Sequence, residues 1–398
     1  MTASAGRLRA RSNDLGSRIG RMLPRWVWMI IFLALALIYP QVAPDIGGFG
    51  LLDASINSLA YIVMALGLNI VVGFAGLLDL GYVAFFAIGA FVMGWLGSAQ
   101  FADISGGNGL HILVSEPASL LPGIHVNFLL IVVIAAAFTA TWGAVLGAPT
   151  LRLRGDYLAI VTLAFGEIVP RIFENSTSGL FGIGSIDFSN GRQGITPVDK
   201  PNIVGYGRFN DLELEPWYYL ALALVIFVLF LNFRLRDSRL GRAWIAVRED
   251  EVAAAAMGVN LVRTKLWAYA IGAALGGMAG AFLGTYKNTV NVDQFEFGFS
   301  VFILCMVIIG GMGNIGGVVL GAIVLSMVDR YILKELNGIP DSLGLDFDVT
   351  SINFGIFGFF LVVMMVLRPE GLIPNRRRKL ELRHGELVED TALYEARH

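Results

Sequence analysis

The chain has 398 residues, of which 56% are hydrophobic and only 15% charged, with 48 glycines and a mean hydropathy of +0.69. A soluble globular protein is near a quarter charged, so the composition excludes a cytosolic enzyme, a nucleic-acid binder and a disordered chain. The net charge of −2 says little about partners, because in a membrane protein the side on which each charge sits is what counts.

A bilayer-spanning helix needs about 20 mostly apolar residues. In chain order the apolar runs predict spans near 26–42, 54–72, 80–97, 126–148, 157–173, 217–233, 266–285, 299–312, 315–333 and 352–367. The eighth and ninth are separated only by a glycine-rich break and read either as two spans or as one span plus a re-entrant segment. The organisation expected is a basic arm over 1–25, a transmembrane domain over 26–373 and a charged tail over 374–398. Within the domain, 174–216 is a long loop rich in Gly, Asn and Asp, too long for a bare connection, and 234–265 is a second, basic loop. The arginines ahead of Val27–Ile38 resemble the start of a signal or transit peptide, but nine further spans favour an uncleaved first helix.

Lysine and arginine in short loops prefer the cytoplasmic side. With the N-terminus inside, 22 of the 29 basic residues fall inside; of the 31 acidic residues, 17 fall outside, 13 inside and one, Glu167, within a span. The inner surface carries +9 and the outer −10, which places both termini in the cytoplasm.

Glycine is patterned. Gly272, Gly276, Gly280 and Gly284 recur every four residues, as do Gly313, Gly317 and Gly321. Small residues at this spacing let helices approach closely in lipid, so tight packing is the first reading and lining of a permeation path the second. Gly73-Phe-Ala-Gly76 and Gly310-Gly-Met-Gly313 look alike and hint at an internal duplication of the kind transporters use.

Parts for catalysis are missing. The single cysteine, Cys305, builds no disulfide framework. The four histidines, His111, His125, His384 and His398, form no metal-binding spacing. None of the five lysines completes a Gly-Lys-Ser/Thr phosphate loop. No catalytic residue and no metal ligand is expected, and the chain should not hydrolyse ATP itself. The one intramembrane charge, Glu167, lies four residues before Arg171, so the two are expected to pair on one helix face; substrate contact is the alternative reading and proton relay a third. Pro170 should kink that helix.

The basic loop is more informative. Arg239–Arg248 reads as a short amphipathic helix and Glu249–Gly258 as a second one. Asp250 suits the N-cap, the alanine run 253–256 favours helix, and Gly258 suits the C-terminal stop. A charged start followed by a bare alanine face fits a groove on another protein better than it fits water.

Four stretches carry a family resemblance: Gly73–Gly89, Leu151–Glu167, Gly241–Gly258 and Met306–Gly317. In them the chain resembles the permease subunit of branched-chain amino-acid ABC importers of the LivM type, within a wider hydrophobic amino-acid and urea uptake family. The likeness runs from about residue 50 to 373 and implies an all-α polytopic membrane protein of the ABC importer permease type, with about ten transmembrane helices and glycine-rich breaks. It also implies that Glu251–Gly258, with Ala253, Ala254 and Ala255, docks on an ATPase subunit, and that Arg242, Arg248, Glu249 and Asp250 orient it. Asp79, Tyr157, Thr162 and Glu167 lie in family motifs and, with Gly313, are the candidate translocation-pathway residues.

The machine implied has a homologous second permease subunit, two ATPase subunits that use the ATP, and an extracytoplasmic substrate-binding protein. It sits in the cytoplasmic (inner) membrane of a bacterium, and no cofactor is held by this chain. A pathway with few buried charges suits an apolar or zwitterionic ligand. Urea or a short amide as cargo, and a stand-alone secondary transporter or channel, are the competing readings.

Overall fold

The computed structural model describes residues 25–102, 109–114, 121–150, 156–177, 187–203, 207–210, 212–333, 353–367 and 371–373. The chain divides into two compact units, Met1–Leu52 and Asp53–His398. The first helical run, α1 (Arg25–Leu68), loses helical geometry at Gly47 (φ −136°, ψ 17°) and Gly48 (φ 63°, ψ −165°) and carries Pro40 and Pro44 ahead of that break.

In the second unit the later part of α1 runs into a π-helical turn, Asn69–Phe74. There follow α2 (Val83–Leu96), β1 (Gly97–Ser98), β2 (Leu110–Ile112), β3 (Ile124–Val126), α3 (Phe128–Thr150), α4 (Asp156–Glu174), β4 (Asn202–Ile203), β5 (Gly207–Arg208) and α5 (Leu214–Asp237). The chain continues through α6 (Arg239–Glu249), α7 (Glu251–Ala256), α8 (Leu261–Tyr286), α9 (Phe297–Gly310), α10 (Ile315–Met327) and α11 (Asn353–Leu367).

Each of the ten apolar stretches is thus helical. Among the described residues, five segments are long and apolar enough to cross a membrane: Gly47–Phe74, Phe128–Thr150, Leu214–Asp237, Leu261–Tyr286 and Ile315–Ile332. Ile31–Asp45, Val83–Leu96 and Phe297–Gly310 are shorter apolar helices. α4 is interrupted in its apolar character by Glu167 and Arg171, which are exposed together with Tyr157, Ile160 and Ile168.

The glycine pattern is a packing device. α8 lies against α2 and α3 along most of its length. A Cβ on Gly280 would sit 2.1 Å from the Phe86 carbonyl oxygen, and one on Gly277 2.2 Å from Thr139 Oγ1. From the other side, a Cβ on Gly89 would lie 2.2 Å from the Gly277 carbonyl oxygen. Backbones this close gain dispersion contacts that no larger residue would allow.

α9 and α10 form an antiparallel pair across the glycine break. Gly310 meets Gly317 and Met306 meets Gly321, each with room for hydrogen alone. Gly311 (φ +114°) and Gly313 (φ +80°) turn the chain between them, conformations that only glycine adopts at little cost. Two helices are present there; Ile315–Ile332 is long and apolar enough to span, and Phe297–Gly310 is the shorter of the two.

The connection between α2 and α3 and the long loop between α4 and α5 pack together as a small cap. β1, β3 and β2 make a three-stranded sheet and β4 and β5 an antiparallel pair. Ile195 and Val290 exchange backbone hydrogen bonds of 2.9 and 3.0 Å. The buried His125 ring meets Asp199 through Nδ1 and Oδ2 at 2.5 Å, and the Trp95 indole donates to the Phe188 carbonyl at 2.6 Å. Residues 187–203 are thus held by contacts with the α2 end, with β3 and with the segment after α8.

Candidate functional site

The loop 234–265 is built as two helices tied firmly to the helical body. Ser238 caps α6, its Oγ accepting the Gly241 amide at 3.1 Å. Gly241 has no room for a side chain: a Cβ would lie 2.2 Å from the Leu235 carbonyl oxygen. Trp244 is fully buried, and its indole donates to the Thr264 carbonyl at 2.7 Å. Arg242 donates to the Asp237 carbonyl at 2.9 Å.

Arg248 reaches furthest. Its guanidinium donates to the Gly73 carbonyl, and its stem lies against Gly76, where a Cβ would come within 2.7 Å of Arg248 Cγ. Gly76 has φ +72°. The end of α6 is therefore clamped to the π-helical turn at the end of α1, a local widening of the helix of a kind common at functional positions.

Asp250 then caps α7, its Oδ1 accepting the amides of Val252 (2.8 Å) and Ala253 (3.0 Å). Glu249 and Asp250 are exposed. Glu251 is held from behind by Lys265, whose Nζ lies 2.5 Å from Glu251 Oε1 and whose side chain is only 7% exposed. Ala254 is buried against the body, while Ala253, Ala255 and Ala256 face outward. Val252 is 76% and Met257 85% exposed. Gly258 (φ +84°) closes the segment, and Asn260 caps α8 by accepting the Arg263 amide at 3.0 Å. The result is one turn and a half of helix presenting an apolar outer face from a charged, anchored base.

Of the five pathway candidates the structure brings two together. Asp79 and Thr162 both line a cavity of about 10 Å³, with Thr150 and Tyr269 also in its wall. That is room for about one water molecule. The Leu80 amide donates to Thr162 Oγ1 at 3.1 Å and the Gly81 amide to Asp79 Oδ1 at 2.9 Å. Asp79 Oδ2 and Tyr269 Oη are buried without a hydrogen-bond partner among the described residues. Asp79 lies between the helices, and burial pushes its carboxyl up to about 7 against the opposing pull of the Gly81 amide.

Tyr157 and Glu167 lie elsewhere, on the exposed face of α4; Tyr157 is 72% exposed. The expected Glu167–Arg171 pair is not formed. Arg171 turns toward the C-terminal end of its helix and meets Glu174 at 2.5 Å instead, because Glu174 is also gripped by Arg192 at 2.6 Å and the shared carboxylate draws both guanidinium groups. Gly313 belongs to a third place, where its amide donates to Asn69 Oδ1 at 2.8 Å and a Cβ on Gly73 would come within 2.7 Å of Gly313 N. The two look-alike glycine breaks thus touch each other.

Sequence reasoning missed Asn69, Lys265 and Tyr269. Asn69 carried a signal, being a lone amide in the apolar run Tyr61–Val72; nothing in the local pattern marks the other two. Among the described residues no group of three or more His, Cys, Asp or Glu side chains is placed to hold a metal ion.

Residues 50–367 match the family described as the permease component of the branched-chain amino acid transport system. The chain belongs to this family. It is 34% identical to the high-affinity branched-chain amino acid transport system permease protein LivM of Escherichia coli (strain K12), over 92% of this chain and 79% of that protein. It is 27% identical to the probable branched-chain amino acid transport permease protein LivM of Methanocaldococcus jannaschii, over 79% and 91%. To the corresponding permease protein LivH of E. coli (strain K12) it is 22% identical, again over 79% and 91%. No solved structure matches the chain. Family membership makes this a helical, multi-pass permease component, and all of the clamp, the capped α7 and the paired glycine breaks fall inside the matched range.

Proposed function

We propose that this chain is the transmembrane permease subunit of an ATP-binding cassette importer that moves branched-chain, hydrophobic amino acids across the cytoplasmic membrane of a bacterium. The observation that carries the reading is α7 itself: a short helix, capped by Asp250 and backed by Lys265, whose apolar face of Val252, Ala255, Ala256 and Met257 is turned outward. Such a face lies in a groove of another protein at less cost than in water. Its anchor through Arg248 to the Gly73 carbonyl links any push on α7 to the α1 end and so to the glycine break at Gly313.

In this reading α7 docks on an ATPase subunit, Arg242, Glu249 and Asp250 orient it by charge, and ATP is spent by two such subunits while this chain binds no cofactor. A homologous second permease completes the pathway, and a soluble binding protein delivers the ligand to the outer cap. In this reading the apolar runs of the sequence make ten transmembrane helices, and its charge asymmetry puts both termini in the cytoplasm. The similarity to both LivM and LivH relatives supports a two-permease assembly, and their printed names support the amino-acid cargo.

The test is Ala255→Glu in the chain expressed with its neighbouring transporter subunits. The expected outcome is loss of leucine uptake, loss of ATPase recovery in a detergent pull-down, and an unchanged amount of inserted permease. Uptake that survives the substitution would establish a stand-alone carrier in its place.

A further inference from the structure

At the far end of the helices from α7, a cavity of about 350 Å³ opens between the last turns of α4 and the start of α9. Its volume is within the about 300–1,000 Å³ of small-molecule sites. The floor is apolar and buried: Phe295 is 1% exposed, and Val292 and Pro170 are buried beside it. The rim is charged with both signs. Arg192 spends only its Nε on Glu174, at 2.6 Å, leaving the two terminal nitrogens of its fork for a further acceptor. Glu167 and Glu296 form no ion pair among the described residues, and Asp293 faces the Arg192 charge without a bridge to it.

Glu167 makes the arrangement more than a surface patch. It stands within α4, seven residues before the C-terminal end of that helix at Glu174, and the helix also exposes Tyr157, Ile160 and Ile168. An ionised side chain in a spanning helix is costly against hydrocarbon and is found facing water-filled space or a partner. Glu167 therefore calls for water or a polar partner beside it, and the cavity it lines supplies that space.

We propose that this cavity is the receiving site for a zwitterionic, aliphatic α-amino acid. Arg192 takes the carboxylate, Glu167 and Glu296 take the ammonium group, and the side chain lies on the half-buried ring of Phe297. The assignment rests on the amino-acid permease reading above. The complementarity is specific: a ligand lacking either charge leaves one side of the rim unpaired, whereas urea and simple amides carry neither charge.

The test uses the full permease and ATPase assembly in lipid nanodiscs without the binding protein. Binding of tritiated L-leucine is competed by 4-methylpentanoate, which lacks the ammonium group, and by L-leucinamide, which lacks the carboxylate. Charge-assisted hydrogen bonds predict that each analogue binds about tenfold more weakly than leucine. Glu167→Gln and Glu296→Gln should each weaken leucine by about tenfold while leaving 4-methylpentanoate unchanged, and Arg192→Gln should weaken leucine while leaving leucinamide unchanged. A substitution that weakens leucine and both analogues alike, or leaves leucine binding intact, would overturn the assignment. The same assemblies supplied with loaded binding protein separate the two levels. No leucine uptake by the unsubstituted assembly would overturn the functional reading and the receiving site with it; uptake by all three variants at the unsubstituted rate would overturn the receiving site alone.

Discussion

Two carboxylates show how position decides what an acidic residue is for. Glu167 is exposed on a helix face and Asp79 is buried in the connection ahead of α2. Both were singled out from sequence, but their surroundings were not readable there, since the groups around them come from α3, α4, α8 and the segment before α9. Asp79 binds its proton more tightly in the folded chain, at about 7 against an ordinary value of 3.8. A raised acid contributes stability that is complete below its unfolded value and shrinks as pH rises through the folded one. The melting midpoint of the purified permease should therefore fall between about pH 4 and pH 7, and Asp79→Asn, which mimics the protonated group, should flatten that part of the profile in a fluorescence-monitored melt. A profile unchanged by the substitution would show that Asp79 keeps its proton, or its charge, alike in both states.

At the scale of elements, the clearest sequence signals were periodic ones. Glycines every fourth residue predicted a close helix contact, and α8 against α2 has it, with no room for a methyl group at Gly280. Gly280→Ala should destabilise by about 1–3 kcal/mol, the cost of overpacking a tight interface. Gly316→Ala should be nearly neutral, because a Cβ there meets only the Asn314 side chain at 3.7 Å. Thermal unfolding of the two variants side by side checks the contrast. The capped pair α6 and α7 was equally legible, since Asp250, the alanine run and Gly258 are local signals that act within a few residues. What the pattern did not reveal is which face of α7 is free. Lys265, fourteen residues on, settles that by drawing Glu251 back against the body, and a contact at that separation leaves no local trace.

For the whole molecule, the sorted charges make a prediction about sidedness that the helices alone do not. Cys305 is buried and supplies no labelling background. A cysteine replacing Ala255 should react with a membrane-impermeant maleimide only in inside-out vesicles, and one replacing Leu212, 80% exposed near the outer cap, only in right-side-out vesicles. The reverse result would invert the assigned topology. By itself the sequence determined the helical membrane class, the apolar segments, the short capped helix and the family, because each depends on composition, on periodicity or on neighbours within a turn. The tertiary structure alone decided that Arg171 leaves Glu167 for Glu174, that Arg248 clamps the α1 end, that the two glycine breaks touch, and that the cap and α9 close a mixed-charge cavity over α4. Those outcomes depend on which distant backbones approach closely enough for a charge to choose between partners, and no local pattern contains that distance.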